Sequence, residues 1–404
     1  MNTRRKIWLR GLTFGSALGL TLGIAIAANE GAWAQTPPAS AADPLAAPWA
    51  EPTPAPGAAP AAPGGDNRGQ VRVQGVPVVP QAPPIGAPVL GKLTDFREEM
   101  RKLITEIANF ARKTQPGFVV MTHNGLELLE KVDEADQRKA FPARGYMLSI
   151  DAIMQDGLFY GNQAFGKPPE KDTADMLKHF TDLAERNRIR LLTMDFTNDR
   201  KAIDRVLQES ARKGYLPFVA QKPINEMNAL PTYPSRPFRE NGNHVLSMDS
   251  AKNYVYLRDT TAFGLEVEFA LKMHDTNFDM VIVDVFHGRK PFSKRAIETM
   301  KYKKLGSKRL VLARMDIGTA ASYRYYWKAG WQSGSPRWIT APYPTDPDRF
   351  FVEYWRPEWH KLIYGDAKSF TYGLIAQGYD GVLLETVDAY HYFESGGQNL
   401  TAFK

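Results

Sequence analysis

The 404-residue chain contains no cysteine, which excludes disulfide bonds, thiolate nucleophiles and cysteine-ligated metal sites. It also lacks a glycine-rich phosphate-binding loop and the Gly-x-Ser-x-Gly turn of serine hydrolases. The spacing of its seven histidines marks no metal site, so we predict neither a metal nor any other cofactor. Without disulfides, the stability of the fold must come from a large apolar core.

Net charge is also low. The formal charge of +7 falls to +4 without residues 1–34, which carry four basic residues and one acidic residue. No basic run is interleaved with aromatic residues. We therefore predict no nucleic-acid partner, because such partners are bound by concentrated positive charge.

Residues 1–34 have the three parts of a secretory signal, namely basic residues within 4–10, an apolar run over 11–28 and Ala-Trp-Ala at 32–34. We predict cleavage after Ala34 and a secreted or periplasmic protein with no stable membrane span after cleavage. The alternative, an uncleaved membrane anchor, is disfavoured because the apolar run is short and interrupted by glycine. The basic residues also fit a loose twin-arginine export pattern.

Residues 35–91 are rich in proline, alanine and glycine and hold 14 of the chain's 29 prolines. Such a composition buries too little apolar surface to offset the entropy lost on ordering. We predict that 35–91 is an extended linker and that 92–404 is the folded domain.

Within 92–404, short apolar, β-branched runs alternate with amphipathic helical stretches, a pattern typical of parallel α/β folds. Eight such runs can close a ring, so we predict a (β/α)8 TIM barrel, with an open doubly wound sheet as the alternative. The predicted strands are 117–122, 145–150, 189–194, 215–220, 253–257, 278–285, 309–315 and 378–384. The predicted helices are 94–113, 125–139, 172–187, 199–213, 261–275, 293–304 and 357–376.

Polar side chains at the same end of nearly every predicted strand favour the barrel. In such barrels the active site is built at the carboxyl ends of the strands, so these side chains would meet at one mouth. A single Asp at a strand end is more often a helix cap, so the prediction depends on the whole set. The acidic and amide members are Asn124, Asp151, Asp156, Asp195, Asp259, Asp284, Asp316, Glu385 and Asp388, and the basic members are Lys222 and Arg258.

Six strings resemble segments of glycoside hydrolase family 114, the endo-alpha-1,4-polygalactosaminidase-like enzymes. They are RMDIGTAASYRYYW (314–327), VEYWRPEW (352–359), GYDGVLLETVDAY (378–390), VVMTHNGLELL (119–129), IDAIMQDGLFYG (150–161) and LLTMDFTND (191–199). The resemblance implies a hydrolase of an amino-sugar, galactosaminogalactan-like polysaccharide, which would be its partner, and the signal in residues 1–34 predicts that it is exported.

The chain departs from the family pattern in two respects. In family members the segments that correspond to 119–129, 150–161 and 191–199 follow the one that corresponds to 378–390. Here they precede it, so the chain looks circularly permuted. Thr319 and Ala321 stand where the family has carboxylates, so two family carboxylates are absent, including one expected in the mouth.

Glycoside hydrolysis usually needs two carboxyl groups that flank the scissile bond. We predict Asp284 and Glu385 as this pair, because burial at the ends of apolar strands would raise a carboxyl pKa, with Asp316 and Asp388 as further catalytic candidates. Aromatic rings suit stacking on sugar faces, and several crowd a predicted long loop at 328–350. The predicted substrate-binding residues are Asn124, Asp151, Asp156, Asp195, Tyr323, Arg324, Trp327 and Tyr390.

Two other functions stay open on the sequence alone. One is a related barrel that binds glycan without cleaving it, since two family carboxylates are absent. The other is a cell-surface assembly factor tethered through the proline-rich segment, which would not require acidic residues at so many strand ends.

Overall fold

The computed structural model describes Trp49 and residues 94–133, 136 and 139–398. The predicted signal and cleavage site lie outside the described residues, and Trp49 alone represents the predicted linker. No helix in the described part of the chain is long and apolar enough to cross a membrane.

Eight parallel strands form a (β/α)8 TIM barrel, which confirms the predicted fold class. The strands are β1 (Val119–His123), β2 (Ala152–Asp156), β3 (Arg190–Phe196), β4 (Leu216–Ala220), β5 (Val255–Tyr256), β6 (Met280–Asp284), β7 (Leu310–Asp316) and β8 (Gly381–Glu385). Their order, β4-β3-β2-β1-β8-β7-β6-β5, runs once round a ring, with no ladder between β4 and β5. There, Phe218 of β4 packs against Tyr254, beside β5, with ring centroids 5.5 Å apart.

Helices surround the ring. They are α1 (Phe96–Thr114), α2 (Arg144–Ser149), α3 (Lys171–Arg186), α4 (Arg200–Lys213), α5 (Glu266–His274), α6 (Lys294–Met300), α7 (Pro357–Ile363), α8 (Phe370–Gln377) and α9 (Tyr390–Glu394). Side-chain caps fix several starts: Asp95, Asp199 and Ser293 each accept a hydrogen bond from the backbone N–H three residues later.

Helix α1, which precedes the first strand, completes the ring of helices. Its apolar stripe is buried, including Met100, Leu103, Ile104 and Ile107. The helix packs against α2, α8 and α9. Because β1 and β8 are hydrogen-bonded neighbours, the first and last strands of the barrel meet beside this helix.

The predicted second strand is wrong. Residues 145–149 belong to α2, Ile150 is its C-cap, and the strand begins at Ala152. The run is short and mostly apolar, and periodicity alone does not separate a strand from a buried helical turn in such a run. The error moves Asp151 from the end of a strand to its beginning.

Two predicted helices also differ from the structure. Residues 125–139 contain a 3-10 turn (Leu126–Leu129) and the strand Glu130–Val132, which pairs with the strand Ala140–Pro142. The predicted helix 357–376 is two helices, α7 and α8, with Gly365 between them at φ 118°. A left-handed φ of this kind ends helical geometry and suits glycine.

A three-stranded antiparallel sheet follows β7 and stands over the carboxyl ends of the barrel. Its strands are Thr319–Ala321, Ile339–Tyr343 and Asp346–Val352, so the predicted loop 328–350 contains a hairpin. Gly318 leads into this sheet, and a Cβ there would lie 2.2 Å from the carbonyl oxygen of Thr386. Only glycine permits this close approach between the two segments.

Candidate active site

A polar cavity of about 330 Å³ opens at the carboxyl ends of the strands. The three-stranded sheet forms one wall through Tyr343, Thr345, Asp346 and Arg349. The remaining lining residues are His123, Asn124, Asp156, Ile224, Asn225, Arg258, Glu385, Thr386 and Asp388. We call this space the mouth cavity.

Four predicted site residues line the mouth cavity together: Asn124, Asp156, Glu385 and Asp388. Asn124 follows β1 with φ 61°, a conformation that asparagine tolerates better than most residues. Its Oδ1 accepts a hydrogen bond from the Asp156 backbone N–H at 2.9 Å. The bond ties the end of β1 to the end of β2.

Asp151 does not reach the mouth, so its predicted substrate-binding position is wrong. It precedes β2 and accepts hydrogen bonds from the backbone N–H of Val120 at 2.7 Å and from Arg112 Nη2 at 2.8 Å. Val120 is near the beginning of β1, which places Asp151 at the amino ends of the strands, opposite the cavity.

Asp195 is fully buried and does not line the mouth cavity. Its Oδ1 accepts hydrogen bonds from the backbone N–H groups of Phe159 and Tyr160, at 2.7 and 2.8 Å. Burial raises its pKa to about 7, although these bonds oppose the shift. The geometry gives Asp195 the role of holding the loop after β2.

Glu385 is held as a carboxylate by its neighbours. Its Oε1 accepts hydrogen bonds from Arg314 Nε at 2.8 Å and from the Tyr256 hydroxyl at 2.6 Å, and its Oε2 pairs with Arg314 Nη2. Burial alone would raise its pKa, but Arg314 and His123 hold that pKa well below the usual range. The predicted raised pKa of Glu385 is therefore wrong.

The negative charge of Asp284 is also balanced by arginine. Arg324 donates to both carboxylate oxygens, at 2.8 and 2.7 Å, and Arg314 Nη1 lies 3.1 Å from Oδ2. Burial favours the neutral acid, yet the two guanidinium groups lower the pKa of Asp284 below its ordinary value. The predicted raised pKa is wrong here too, and a bidentate arginine pair is a poor proton donor.

His123 lies between two carboxylates. Its Nε2 is 2.8 Å from Asp156 Oδ1, and its Nδ1 is 3.6 Å from Glu385 Oε1. Burial would lower its pKa, but Asp156 and Glu385 outweigh burial and raise it to about 10. The residue is therefore an imidazolium at neutral pH.

Asp388 is the carboxyl group of the mouth best suited to carry a proton. Burial raises its pKa to about 6, against the opposing effect of His391 and His123 and with a further increase from Glu127. In the described part of the chain, no cation lies within ion-pair distance of its carboxylate. A carboxyl group that titrates near pH 6 can act as a general acid.

Tyr390, a predicted substrate-binding residue, is completely buried and does not line the mouth cavity. Its hydroxyl donates to Glu127 Oε2 at 3.1 Å. His391 Nε2 lies 3.6 Å from the other oxygen of Glu127. These contacts give Tyr390 a supporting place beside Asp388.

Asp316 connects the cavity wall to the barrel. It accepts hydrogen bonds from Arg349 Nη1 at 3.2 Å and from Thr386 Oγ1 at 2.8 Å. Arg349 also stacks on Tyr343, with its guanidinium carbon 3.5 Å from the ring centroid. Thr386 has φ 56°, which is strained for a β-branched residue and is a feature that clusters at functional sites.

Arg258 is an unpaired cation of the mouth. It lines the cavity, and no described residue gives its guanidinium an ion pair or side-chain hydrogen bond. Its donors are therefore available to the oxygen atoms of a ligand. Within the described ranges, no group of three or more His, Asp or Glu side chains is placed to hold a metal ion.

Of the predicted aromatic site residues, Trp327 packs within the sheet over the mouth cavity and Tyr323 is exposed beside it. Trp327 stacks on Phe350 at 5.4 Å and packs edge-on against Trp331, so it stabilises the sheet over the mouth. Tyr323 is 51% exposed, and its hydroxyl donates to Asp346, which lines the cavity. Tyr323 therefore exposes an aromatic ring beside a residue of the cavity wall.

Thr319 and Ala321, the positions without the family carboxylates, are buried in the antiparallel sheet and do not line the mouth cavity. Thr319 pairs with Phe351, and its Oγ1 finds no hydrogen-bond partner among the described residues. A glutamate at this position would enter a closed packing environment in this protein.

Sequence reasoning missed Arg314, Tyr256 and His123 as site residues. Arg314 had a detectable signal, because a charged residue in the apolar run LVLARMD must find a partner inside the barrel. A cavity of about 690 Å³ lies elsewhere, at the junction of β4 and β5, but contains none of the predicted site residues. We assign the site by its chemistry, not by volume.

No protein-family model matches the chain. It is 30% identical over 155 residues to an uncharacterized protein of Methanocaldococcus jannaschii, covering 36% of this chain and 41% of that protein. It is 27% identical over 145 residues to an uncharacterized protein of Thermotoga maritima, covering 34% and 42% of the two chains. A Deinococcus radiodurans protein, also uncharacterized, is 33% identical over 119 residues, covering 29% and 36%. The chain thus matches about two fifths of the length of these relatives.

Proposed function

We propose that this protein is an exported glycoside hydrolase that cleaves an amino-sugar polysaccharide at the mouth of its barrel. One observation carries the proposal: Asp388, with a pKa of about 6, shares a cavity with Asp156, whose charge is balanced by His123. These are the two kinds of carboxyl group that glycoside hydrolysis needs.

In the proposed reaction, Asp388 donates its proton to the leaving glycosidic oxygen as the bond to the anomeric carbon breaks. Asp156 supplies the opposing carboxylate, either by attacking the anomeric carbon or by deprotonating the water that attacks it. His123 keeps Asp156 oriented through the 2.8 Å contact. Arg258 and the Tyr323 ring are positioned to bind sugar oxygens and a sugar face.

The assignment replaces the pair inferred from sequence. Asp284 and Glu385 support the site through arginine and are not the proton donor. The amino-sugar specificity rests on the resemblance of the six strings to family 114, and export rests on the composition of residues 1–34.

The test is reducing-end release from purified polysaccharides, including partly deacetylated galactosaminogalactan, a neutral glucan and a uronate polymer. We expect cleavage of the amino-sugar polymer by the wild type and loss of turnover by two to four orders of magnitude in Asp388→Asn and Asp156→Asn. Asp175→Asn, on the exposed face of α3, is the matched control and should retain activity.

A glycan-binding barrel without hydrolysis is the second candidate. It is favoured by the arginine pairing of Asp284 and Glu385, which leaves fewer free carboxylates in the mouth than the sequence suggests. Equal binding of the polymer by wild type, Asp388→Asn and Asp156→Asn, with no reducing ends from any of them, would select this function instead.

A further inference from the structure

Trp49, the described residue of the proline-rich segment, packs against the barrel domain. Its side chain is 7% exposed. Its Nε1 donates a hydrogen bond to Oε1 of Gln377, itself buried at the end of α8, at 2.8 Å. Both the ring and its N–H group are therefore accommodated, as expected for a specific site. Apart from Trp49, residues 35–91 lie outside the described residues, so the extended linker stays a prediction.

Three aromatic rings from separate elements surround Trp49. Tyr325 lies 5.0 Å from it between ring centroids, Phe370 lies 5.1 Å away at 87°, and Phe286 lies 6.2 Å away. The near-perpendicular arrangement with Phe370 is a favoured geometry for aromatic pairs. Together with Gln377, these rings form what we call the Trp49 pocket.

The Trp49 pocket lies next to the ion pair between Arg324 and Asp284. Phe286 lies two residues after Asp284, and Tyr325 directly follows Arg324. The Arg324 guanidinium carbon stands 5.1 Å from the Phe286 ring centroid while its nitrogens hold Asp284. Trp49 thus packs on residues that flank both members of this ion pair.

We propose that Trp49 docks the N-terminal segment into this pocket and positions Arg324 against Asp284. The occupant is this chain's own tryptophan, since the hydrogen bond to Gln377 and the ring contacts already match it. Residues 50–95 connect Trp49 to α1, and at roughly 3.3 Å per residue they can readily span the barrel. Trp49 is a positioning residue, and its role does not depend on which glycan, if any, the mouth cleaves.

Docking can be tested in the full chain with a labelled peptide of residues 44–54. Trp49→Ala should bind the peptide saturably, because its pocket is empty, whereas the wild type should not bind it. The same peptide with alanine in place of its tryptophan should bind neither protein. Equal binding by the wild type and Trp49→Ala, or no binding by either, would overturn the docking proposal.

A second measurement leaves Trp49 in place. A protease site is inserted between residues 70 and 71 of the full chain, and the cleaved protein is run on size exclusion. The N-terminal fragment should co-elute with the barrel, and it should separate when Gln377→Ala weakens the pocket. Separation in the otherwise wild-type protein would contradict docking, whether or not Trp49→Ala folds.

The effect of Trp49 on Arg324 can be measured by NMR, from the guanidinium N–H signals of Arg324 in 15N-labelled protein. A bidentate pair slows guanidinium rotation, so separate signals are expected in the wild type and averaged ones in Trp49→Ala. Trp49→Phe keeps a ring in the pocket and should restore separate signals. Trp355→Ala removes a ring that packs on Phe96, and it should leave them unchanged. Unchanged Arg324 signals in folded Trp49→Ala would overturn the positioning role.

Discussion

Arg314 of β7 and Glu385 of β8 form a buried ion pair beneath the mouth cavity. Two guanidinium nitrogens meet the two carboxylate oxygens, and both side chains are 5% exposed. The hydroxyl of Tyr256, on β5, donates a 2.6 Å hydrogen bond to Glu385 Oε1. The pair joins three strands of the barrel and identifies Glu385 as a structural carboxylate at the floor of the site.

The first prediction follows from this pair. Glu385→Gln keeps the shape of the side chain but leaves Arg314 without its main counter-charge, so the free energy of unfolding should fall by about 3–5 kcal/mol. Urea unfolding at pH 7 measures the change. Glu353→Gln breaks the more exposed pair with Arg356 and should cost less than about 1 kcal/mol. A similar small loss for both variants would contradict the structural role.

Much of the barrel could be predicted because its strands are buried apolar runs of characteristic length. Seven of the eight predicted strands overlap observed ones, and the exception, 145–150, lies in α2 and its C-cap, immediately before β2. The mistake is local because the residues of α2 and β2 form one nearly continuous apolar stretch. Helical and extended geometry differ there only through tertiary packing.

The site could be predicted less well, for a physical reason. Sequence shows that Glu385 and Asp284 end their strands, but not that Arg314, 71 and 30 residues away, contacts both. The direction of a pKa shift depends on such partners as much as on burial. Asp388, which has no comparable cation partner among the described residues, follows the simple expectation that burial raises a carboxyl pKa.

The second prediction concerns His123 and pH. Because its folded pKa of about 10 is above the unfolded value of about 6.5, its stabilising contribution is complete below pH 6.5 and is lost as pH rises through 10. His123→Gln should therefore destabilise the protein by several kcal/mol at pH 6 and by much less at pH 10. Urea unfolding at both pH values measures this.

His287→Gln serves as the control for His123. That ring bonds Thr260 and the Gly264 carbonyl and faces no carboxylate within ion-pair distance in the described part of the chain. Because His287→Gln breaks no ion pair with a carboxylate, its cost should lack the large loss between pH 6 and pH 10 that we expect for His123→Gln. A pH-independent cost for His123→Gln would mean that the residue is neutral in the folded protein.

The third prediction concerns Thr319, one of the two positions where the resembled glycoside hydrolase family has a carboxylate. Thr319→Val removes a buried hydroxyl that has no partner among the described residues, so stability should rise by about 1 kcal/mol. Thr319→Glu would bury a charge and should cost several kcal/mol without creating activity. Thermal unfolding measures both.

Thr371→Val is the matched control for Thr319→Val. Its hydroxyl is equally buried but donates to the Ile363 carbonyl at 2.7 Å, so the same substitution should destabilise by about 1 kcal/mol. Opposite signs for the two valine variants are expected. If Thr319→Glu instead folds normally and gains hydrolytic activity, position 319 must reach the mouth.

The fourth prediction tests the contact between Gly318 and Thr386. The added Cβ in Gly318→Ala would meet backbone oxygen at 2.2 Å, so the segment around Thr386 must shift and stability should fall by more than about 2 kcal/mol. Gly145→Ala, where a Cβ has open space within α2, should be neutral or stabilising. Equal midpoints in thermal unfolding would show that the two segments separate readily.

The fifth prediction concerns Asp388, the proposed proton donor. Its folded pKa of about 6 lies above the unfolded value of about 3.9, so the stability contributed by its neutral form is complete below pH 3.9 and lost as pH rises through 6. Asp388→Asn should therefore be more stable than the wild type at pH 8, by about 3 kcal/mol, while losing turnover. Urea unfolding at pH 5 and pH 8 and reducing-end release measure the two effects.

Glu127→Gln separates the acid role of Asp388 from a merely structural one. Glu127 contributes to the raised pKa of Asp388 by repulsion between the two carboxylates, so its removal should lower that pKa and shift the alkaline limb of the activity profile to lower pH. Activity at low pH should survive, because Asp388 still holds its proton there. Glu358→Gln, on the first turn of α7, should leave the limb in place. The alkaline limb of the activity profile could instead stay near pH 6 in Glu127→Gln and persist in Asp388→Asn. That result would assign the limb to another group, and Asp388 would not be the acid.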